Sequence, residues 1–318
     1  MARSLTRFQG SLVILACGVM FSFGPLTFRA LQEADTWQYL FFRNVSAAGV
    51  SALIILLARR NLWRAVVAAG RQQWLAGFLM AAMFTLYVVA LSRVTAAFVL
   101  LMQCASPFYA ALFARIFLKE PVGRPTLVAM VVSAVGVTVM VGGNLAAGDG
   151  LGIALSVGLS VALGAYSVLI RSSPAQDPGV PTLIGGSVAA IIALVVTGAG
   201  PGVVVPAHDM FMGFMGGGLL IGLATPFWNY AHRFVPPADV SLLLISEIVA
   251  APLWLWLWMN ETPSSSTLAG GAISLGAVLW LTASTARGGR QDFPPVSRRR
   301  RGLHVGVAPL FRRTKNGS

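Results

Sequence analysis

Charged residues are scarce in this sequence. Only 10% of its 318 residues are Asp, Glu, Lys or Arg, whereas soluble domains carry about a quarter. Hydrophobic residues make up 56% of the chain, and the mean hydropathy is +0.76. A soluble fold of this length could not cover so much apolar surface. The composition therefore excludes a soluble globular protein and indicates a protein whose solvent is lipid.

Cysteine and histidine are scarcer still, with two and three copies. Cys17 and Cys104 fall inside apolar stretches, where neither a disulfide framework nor a metal site has support, so we interpret them as packing residues. His208 lies in a loop, His232 at the end of an apolar stretch and His304 in the tail. The sequence has no HExxH, CxxC or phosphate-binding-loop motif. These absences predict neither a metal nor a cofactor.

The same scarcity bears on catalysis. An enzyme needs a nucleophile and a base, or a metal cluster, that converge at one place. No such constellation is visible, so we predict that the protein is not an enzyme. A multispan membrane enzyme, or a sensor without transport activity, is the competing interpretation.

Long apolar runs fill most of the chain. Each covers about 18 to 22 residues, the length that a helix needs to cross a hydrocarbon core. Because backbone polar groups inside lipid must be satisfied internally, these runs are predicted to be helices. We predict an all-α polytopic membrane protein with ten transmembrane helices, at residues 9–28, 37–58, 74–92, 95–114, 125–143, 150–170, 180–200, 211–232, 239–258 and 267–285.

The basic residues predict the orientation of these spans. With the N-terminus in the cytoplasm, 20 of the 23 Lys and Arg residues lie on the cytoplasmic side, Arg29 and Arg93 lie opposite, and Arg43 lies within a span. The positive-inside rule favours this arrangement. We expect an uncleaved first span and a multi-pass protein of the cell inner membrane with both termini cytoplasmic.

The C-terminal tail, residues 287–318, is basic and interrupted by Pro and Gly. Nucleic-acid binding by Arg298 to Arg301 is the weaker interpretation. A disordered cytoplasmic tail attracted to anionic lipid suits the composition better. The expected partners are therefore the lipid bilayer and a small-molecule substrate, without nucleic acid. A ten-helix bundle can bury its own polar groups, so the sequence predicts no particular oligomeric state.

The chain also contains an internal repeat. A shift of 141 residues aligns residues 90–127 with residues 231–268. Each copy holds five spans, an odd number, so the second copy is predicted to be inverted in the membrane. Inverted repeats are typical of secondary transporters, in which they support alternating access. We predict repeats at 1–145 and 146–286, followed by the tail. The matched positions include Ala90/Ala231, Val94/Val235, Ala97/Ala238, Val99/Val240 and Glu120/Glu261.

Two motifs carry a family resemblance. The segment "ALFARIFLKE" at the end of residues 100–120 and its echo "SEIVAAPLWLWLWMNE" at 246–261 resemble the paired repeats of EamA-type carriers in the drug/metabolite transporter superfamily. The resemblance covers about residues 9–286. It implies a ten-helix exporter or exchanger of small polar metabolites, often amino acids, with a central cavity between the repeats. The family's usual Glu-Pro is absent here, because Glu247 precedes Ile248 and the kink is lost or moved to Pro252.

Glu247 is a carboxylate in the middle of an apolar run. A charge at the centre of a bilayer costs about 2.5 kcal/mol or more, so such a residue normally faces a cavity, a partner or a substrate. Three interpretations are open. Glu247 binds a cationic group of the substrate, serves as a proton-coupling site, or pairs with Arg43. A basic residue often occupies the Arg43 position in the resembled family.

Helical periodicity places further candidates around Glu247. At 100° per residue, Trp254 and Trp258 fall on its stripe. The equivalent stripe in the first repeat contains Ser106, Phe113 and Phe117, with Gln103 alongside. We expect Gln103, Ser106 and Glu247 near the middle of a pathway. Aromatic residues are expected to narrow its two ends, with Phe113 and Phe117 on the cytoplasmic side and Trp254 and Trp258 on the outer side. An interfacial aromatic belt is the alternative for the aromatic residues.

Other polar or small residues at membrane depth have weaker assignments. Tyr87 and Trp228 are repeat equivalents and, with Tyr166, are candidates to line the cavity. Each is also a common type of helix–helix contact. The row Gly152, Ser156, Ser160 and Gly164, and the glycines of "GGGLLIG" at 216–222, predict close helix packing. Glu120 and Glu261 are expected to act structurally, near the start of the following helix.

Overall fold

The computed structural model describes residues 6–58, 61–119, 122–145, 149–172, 177–231 and 237–287. Regular structure within these ranges is helical throughout. The basic tail from residue 288 onward, Glu120 and His232 lie outside the described residues. The helices are α1 (Arg7–Ser22), α2 (Gly24–Arg29), α3 (Thr36–Leu57), α4 (Leu62–Val67), α5 (Arg71–Leu91), α6 (Ala96–Met102), α7 (Ser106–Phe113), α8 (Arg124–Leu145), α9 (Gly150–Ser172), α10 (Val180–Gly198), α11 (Ala207–Phe214), α12 (Ala224–Ala231), α13 (Pro237–Met259) and α14 (Ser265–Arg287).

Eight helical stretches of the described chain are long and apolar enough to cross a membrane. Their mean hydropathies run from 1.5 to 2.2. This confirms the prediction of an all-α, multi-pass membrane protein. The predicted ninth and tenth spans correspond to α13 and α14, whose assigned apolar stretches are shorter, at Ser246–Met259 and Ser265–Leu281, so their crossing stays a prediction.

Three of the eight stretches are not regular α-helices. Between α1 and α2 the chain turns at Phe23, and Pro25 lies in the first turn of α2. A 3₁₀ turn, Gln103–Ala105, separates α6 from α7. A π-helical stretch, Met215–Leu223, joins α11 to α12, and a second, Ala114–Leu118, follows α7. Mid-helix departures of this kind frequently mark functional sites. Pro252, by contrast, lies inside a continuous α13.

Side-chain caps set where several helices begin. Asp35 accepts hydrogen bonds from the backbone N–H of Trp37 and Gln38, at 2.8 and 2.7 Å, while the Gln38 side chain accepts from the Asp35 N–H. This is a reciprocal capping box. Thr95 caps α6 by accepting from the Phe98 N–H. Each cap stabilises its helix by about 1 kcal/mol and so fixes the depth of the span that follows.

Small residues bring the helices close together. A Cβ on Gly185 of α10 would lie 2.8 Å from Met80 Cβ of α5, and one on Gly186 would lie 3.0 Å from the Asn44 carbonyl oxygen of α3. In lipid, where no hydrophobic effect drives helices together, such close contact supplies the association energy. The predicted row on α9 also packs against a neighbouring helix, because Ser160 Oγ donates to the Met102 carbonyl at 2.8 Å.

Loops on alternate sides of the spans gather at two ends of the bundle. At one, which we call the Arg29 end, Gln38 Nε2 donates to the Gly202 carbonyl at 2.9 Å. At the other, the Asp177 end, Gln73 Nε2 donates to the Asp177 carbonyl at 3.1 Å. A short helix, α4, lies in the basic segment after α3, where the sequence predicted only a loop.

Candidate functional site

Arg43 is buried near the middle of the bundle. It lies on α3 and is 3% exposed. Its guanidinium carbon sits 5.4 Å from the centroid of the Phe84 ring and 5.8 Å from that of Tyr87, both on α5. Cation–π contacts of this kind stabilise a desolvated guanidinium by about 2 kcal/mol. They do not satisfy its N–H groups, and Arg43 Nη1 is buried without a hydrogen-bond partner.

Tyr87 is close to both Arg43 and Glu247. Its side chain is within electrostatic range of both charged groups. Glu247 itself is half-buried on α13. Among the described residues it has no hydrogen bond and no ion pair, so the Arg43–Glu247 ion pair considered from the sequence does not form. The structure therefore places three of the predicted site residues, Arg43, Tyr87 and Glu247, within electrostatic range of one another around the Tyr87 phenol.

Two irregular helices border this cluster. A Cβ added to Gly24, at the break between α1 and α2, would lie 3.7 Å from the Tyr87 hydroxyl. On the other side, Gly217 of the π-helical stretch packs against the backbone carbonyl of Arg43. Thr27 of α2 and Tyr39 of α3 share a 2.7 Å hydrogen bond between their hydroxyl oxygens. Irregular backbone is tolerated at membrane depth where it lines a cavity or is buried in protein.

Trp254 is held in position by α1. Its Nε1 donates to Ser22 Oγ at 3.0 Å, and its ring stacks on Phe23 with centroids 5.5 Å apart. Trp258 stacks on Trp254 at 5.3 Å but is 55% exposed. Trp254 thus contacts the chain at the α1–α2 break and lies two helical turns along α13 from Glu247, whereas Trp258 lies at the surface.

The candidates on the first-repeat stripe lie on a separate helix pair. Ser106 and Gln103 are half-buried at the junction of the 3₁₀ turn with α7. Phe113 is half-buried and contacts Phe117, with ring centroids 6.1 Å apart, but Phe117 is 72% exposed. Gly164 of α9 packs directly against the backbone near Ser106. These residues do not contact Glu247 through a hydrogen bond in the structure.

Tyr166 and Trp228 form their own cluster towards the Asp177 end. Their rings stack with centroids 6.4 Å apart. Tyr166 is fully buried, and its hydroxyl donates to Asn229 Oδ1 at 3.1 Å. Asn229 Nδ2 in turn donates to the Pro178 carbonyl at 3.0 Å. These hydrogen bonds connect α9, α12 and the loop before α10. They are a helix–helix contact, which the sequence analysis gave as the alternative to a cavity-lining role for Tyr166 and Trp228.

The structure also contains a polar group of residues that the sequence did not predict. Arg29 Nε donates to Glu261 Oε2 at 2.7 Å, and Arg29 Nη2 donates to the Val94 carbonyl at 3.1 Å. Glu261 Oε1 accepts from the Ala96 N–H at 2.6 Å. We call these contacts the Arg29–Glu261 clasp. Glu261 has a structural role, as expected. Its carboxylate binds a backbone N–H at the start of α6, however, and not at the start of α14, the next helix in the chain.

Asp209 makes a second, buried connection at the same end. Its carboxylate accepts from the backbone N–H groups of Gln32, Glu33 and Ala34 at 2.9, 2.8 and 2.7 Å. It thereby fixes the loop between α2 and α3 onto the first turn of α11. No set of three or more His, Cys, Asp or Glu side chains in the described part of the chain is arranged to hold a metal.

Comparisons with known proteins agree with this architecture. No curated protein matches the sequence. A solved structure described as "Crystal structure of protein" superposes with a TM-score of 0.66 at 17% sequence identity, and the match covers 89% of this chain and 100% of that one. At this identity the likeness establishes the fold alone. Residues 8–142 match the EamA-like transporter family, whose members are transporters. These residues are similar to that family, which the sequence motifs also resemble.

Proposed function

We propose that this protein is a secondary transporter that moves small polar metabolites, amino acids or similar organic solutes, across the inner membrane by alternating access. Export is the proposed direction. The family match over residues 8–142 supports the general activity. The direction of transport and the substrate class are taken from what the resemblance to EamA-type carriers implies.

The observation that carries the proposal is the way the helices pair. In α8 and α14, Ser274 Oγ donates to the Ser133 carbonyl at 3.3 Å, and these two residues are 141 positions apart, the same shift that aligns the repeats. Two residues at matching positions of the two repeats come into contact where the two-fold axis that relates the repeats passes between them. Gly270 packs on the backbone carbonyl of Gly136 beside this bond.

Other helix pairs show the same two-fold relationship, because a contact between two helices is matched by a contact between their counterparts in the other repeat. Helix α3 packs on α10, its counterpart in the second copy. Helix α5 packs on α9, and their counterparts α12 and α1 pack on each other. Helix α7 packs on α9, while α13 packs on α1. This supports ten spans in two inverted five-helix repeats, 1–145 and 146–286, of the kind that supports alternating access.

The Arg43–Tyr87–Glu247 cluster is the proposed centre of substrate binding. Buried charges at membrane depth usually mark a substrate or ion pathway. The remaining proposed binding residues line the route towards or away from this centre: Ser106, Gln103, Trp254, Phe113, Trp228 and Tyr166. Glu247 is also the proposed proton-coupling residue, because it is a carboxylate within the span that has no hydrogen-bond or ion-pair partner among the described residues.

The basic residues set the proposed orientation. The segments rich in Arg lie at the Asp177 end, so this end faces the cytoplasm with both termini, by the positive-inside rule. The Arg29 end then faces outward. The Arg29–Glu261 clasp and the Asp209 contacts join α2, α6, α11 and the chain after α13 there, which is the arrangement expected of an externally closed conformation.

Counterflow in proteoliposomes tests the proposal. Liposomes loaded with one unlabelled amino acid at a time are diluted into the labelled form, with and without an imposed pH gradient. We expect transient accumulation of at least one amino acid, absent from protein-free liposomes. Folded, reconstituted protein that gives no counterflow for any small metabolite in the panel would contradict the transporter assignment.

A further inference from the structure

The Arg43 guanidinium is incompletely satisfied. It is nine-tenths buried or more, and Nη1 has no hydrogen-bond partner. Among the described residues the ion pairs are Arg29–Glu261 and His208–Asp209, so no carboxylate of that part of the chain neutralises Arg43. A buried guanidinium cannot lose its charge as a buried amine can. It therefore calls for an anionic partner from outside the described protein.

We propose that Arg43 Nη1 is the anchor for the carboxylate of the transported solute, so that the substrate class is small organic carboxylates. This rests on the proposed transport function and names the end of the substrate that the site recognises. Guanidinium groups bind carboxylates through charge-assisted hydrogen bonds, which are the stronger class. The aromatic faces of Phe84 and Tyr87 flank the guanidinium and exclude water from it.

The surroundings favour a carboxylate over a phosphate group. Tyr87, whose ring centroid lies 5.8 Å from the Arg43 guanidinium carbon, is also within electrostatic range of Glu247, so a group bound at Arg43 lies near the negative charge of that carboxylate. Arg29 is also within electrostatic range of Tyr87, but it is paired with Glu261, and the one remaining guanidinium suits a monoanion better than a dianion. Phosphate sites normally collect several basic or backbone N–H donors. Glu247, which is within electrostatic range of Tyr87, would receive the amino group when the bound carboxylate also carries one.

The backbone around Arg43 is organised to hold the side chain still. Gly217 allows the π-helical stretch to lie directly on the Arg43 carbonyl, and Ser46 Oγ donates to the same carbonyl at 2.9 Å. Tyr39, one turn earlier on α3, is held by Thr27 and lies within electrostatic range of the guanidinium. A binding group that is fixed before the ligand arrives loses less entropy on binding.

Ligand-dependent thermal stability of the purified full chain in lipid nanodiscs tests this inference without requiring transport. The probes are the twenty standard amino acids, four simple carboxylates (acetate, pyruvate, succinate and benzoate), and inorganic phosphate and glycerol phosphate as competing anions. The acid that stabilises most is then compared with its primary amide and its decarboxylated amine. We expect the amide and the amine to bind at least about tenfold more weakly than the acid, since each lacks the charge-assisted bond. This comparison uses wild-type protein, so it does not depend on a variant that fails to fold.

Substitution of Arg43 then localises the effect. Arg43→Gln should remove the preference for acid over amide, and Arg43→Lys should keep part of it. Arg93→Gln, an exposed arginine in the loop before α6, is the matched control and should bind like wild type. An Arg43→Gln variant that still prefers the acid overturns the assignment, as does equal binding of acid and amide by wild type.

Further outcomes distinguish failure of this inference from failure of the transport proposal on which it rests. The carboxylate assignment is overturned if inorganic phosphate or glycerol phosphate stabilises the protein through Arg43 while none of the carboxylates does. It is also overturned if none of the probes raises the melting temperature. Counterflow of solutes without any acid preference leaves the transport proposal standing and refutes this inference, whereas Arg43-dependent acid binding without counterflow does the reverse.

Discussion

Arg29 and Glu261, 232 residues apart in sequence, are joined by a 2.7 Å bond between Nε and Oε2. The same carboxylate accepts from the Ala96 N–H at the start of α6. One ion pair thus links three spans at one end of the bundle. Its side chains are 28% and 16% exposed, so the coupling between them is modest, on the order of 1 kcal/mol.

The clasp predicts local opening when Glu261 is removed. In Glu261→Ala, the N–H of Ala96 loses its acceptor, and hydrogen–deuterium exchange at residues 95–100 should become faster. Glu33→Ala, which removes an exposed carboxylate at the same end, is the control and should leave exchange in this segment unchanged. Equal exchange in wild type and Glu261→Ala would show that the clasp does not hold this end closed.

Asp209 predicts a larger loss of stability. In Asp209→Ala, three part-buried backbone N–H groups lose a charged acceptor, and the expected destabilisation is about 3 kcal/mol, observed as a clear fall in the melting temperature in detergent. Asp35→Ala, which removes only an exposed N-cap, should cost about 1 kcal/mol. A fall no larger than that of Asp35→Ala would contradict the role assigned to Asp209.

Gly217 predicts intolerance of even one methyl group. A Cβ there collides with the Arg43 carbonyl oxygen and with Ser46, both parts of a packed helix that cannot move aside. Gly217→Ala should therefore lower the melting temperature or the yield of folded protein. Gly49, on α3, has nothing within 4 Å of an added Cβ, so Gly49→Ala should be neutral or stabilising by up to about 1 kcal/mol. Similar behaviour of the two variants would refute the close approach.

Glu247 predicts a loss of proton coupling. In Glu247→Gln, exchange of unlabelled for labelled substrate should persist, because the amide still fits the site. Accumulation driven by a pH gradient should fall by about tenfold, since the neutral amide cannot carry the proton. Tyr87, which is within electrostatic range of Glu247, Arg43, Tyr39 and Arg29, is unchanged in this variant. Glu33→Gln serves as the control, and an unaltered pH dependence in Glu247→Gln would assign the proton to another group.

Much of the fold could be predicted because the length of an apolar run is a local property of the sequence. Eight spans lie where the runs predicted them, and Arg43 and Glu247 stood out because charges inside such runs are rare. Tyr87 was a candidate through its repeat position. That it lies near both charges was not predictable, since this depends on the order in which the helices pack.

The clasp and the Asp209 contacts escaped prediction for the same reason. Their partners are far apart in sequence, and Arg29 looked like an ordinary loop cation. The signal available was weak: two polar residues, Arg29 and Glu261, at span ends on the same predicted side of the membrane. The close packing of the 216–222 glycines was predicted and is confirmed, but the π-helical winding of that segment was not.

That winding has a consequence for sequence length. A π-helical turn holds more residues than an α-helical turn, and such turns behave as an extra residue accommodated within an α-helix. In the stretch Met215–Leu223 the surplus is taken up beside three consecutive glycines, Gly216 to Gly218. Trp228 and Asn229 downstream owe the direction they face to this surplus. The glycine run is therefore a place in the chain where an additional residue is accommodated while Trp228 still stacks on Tyr166 of α9.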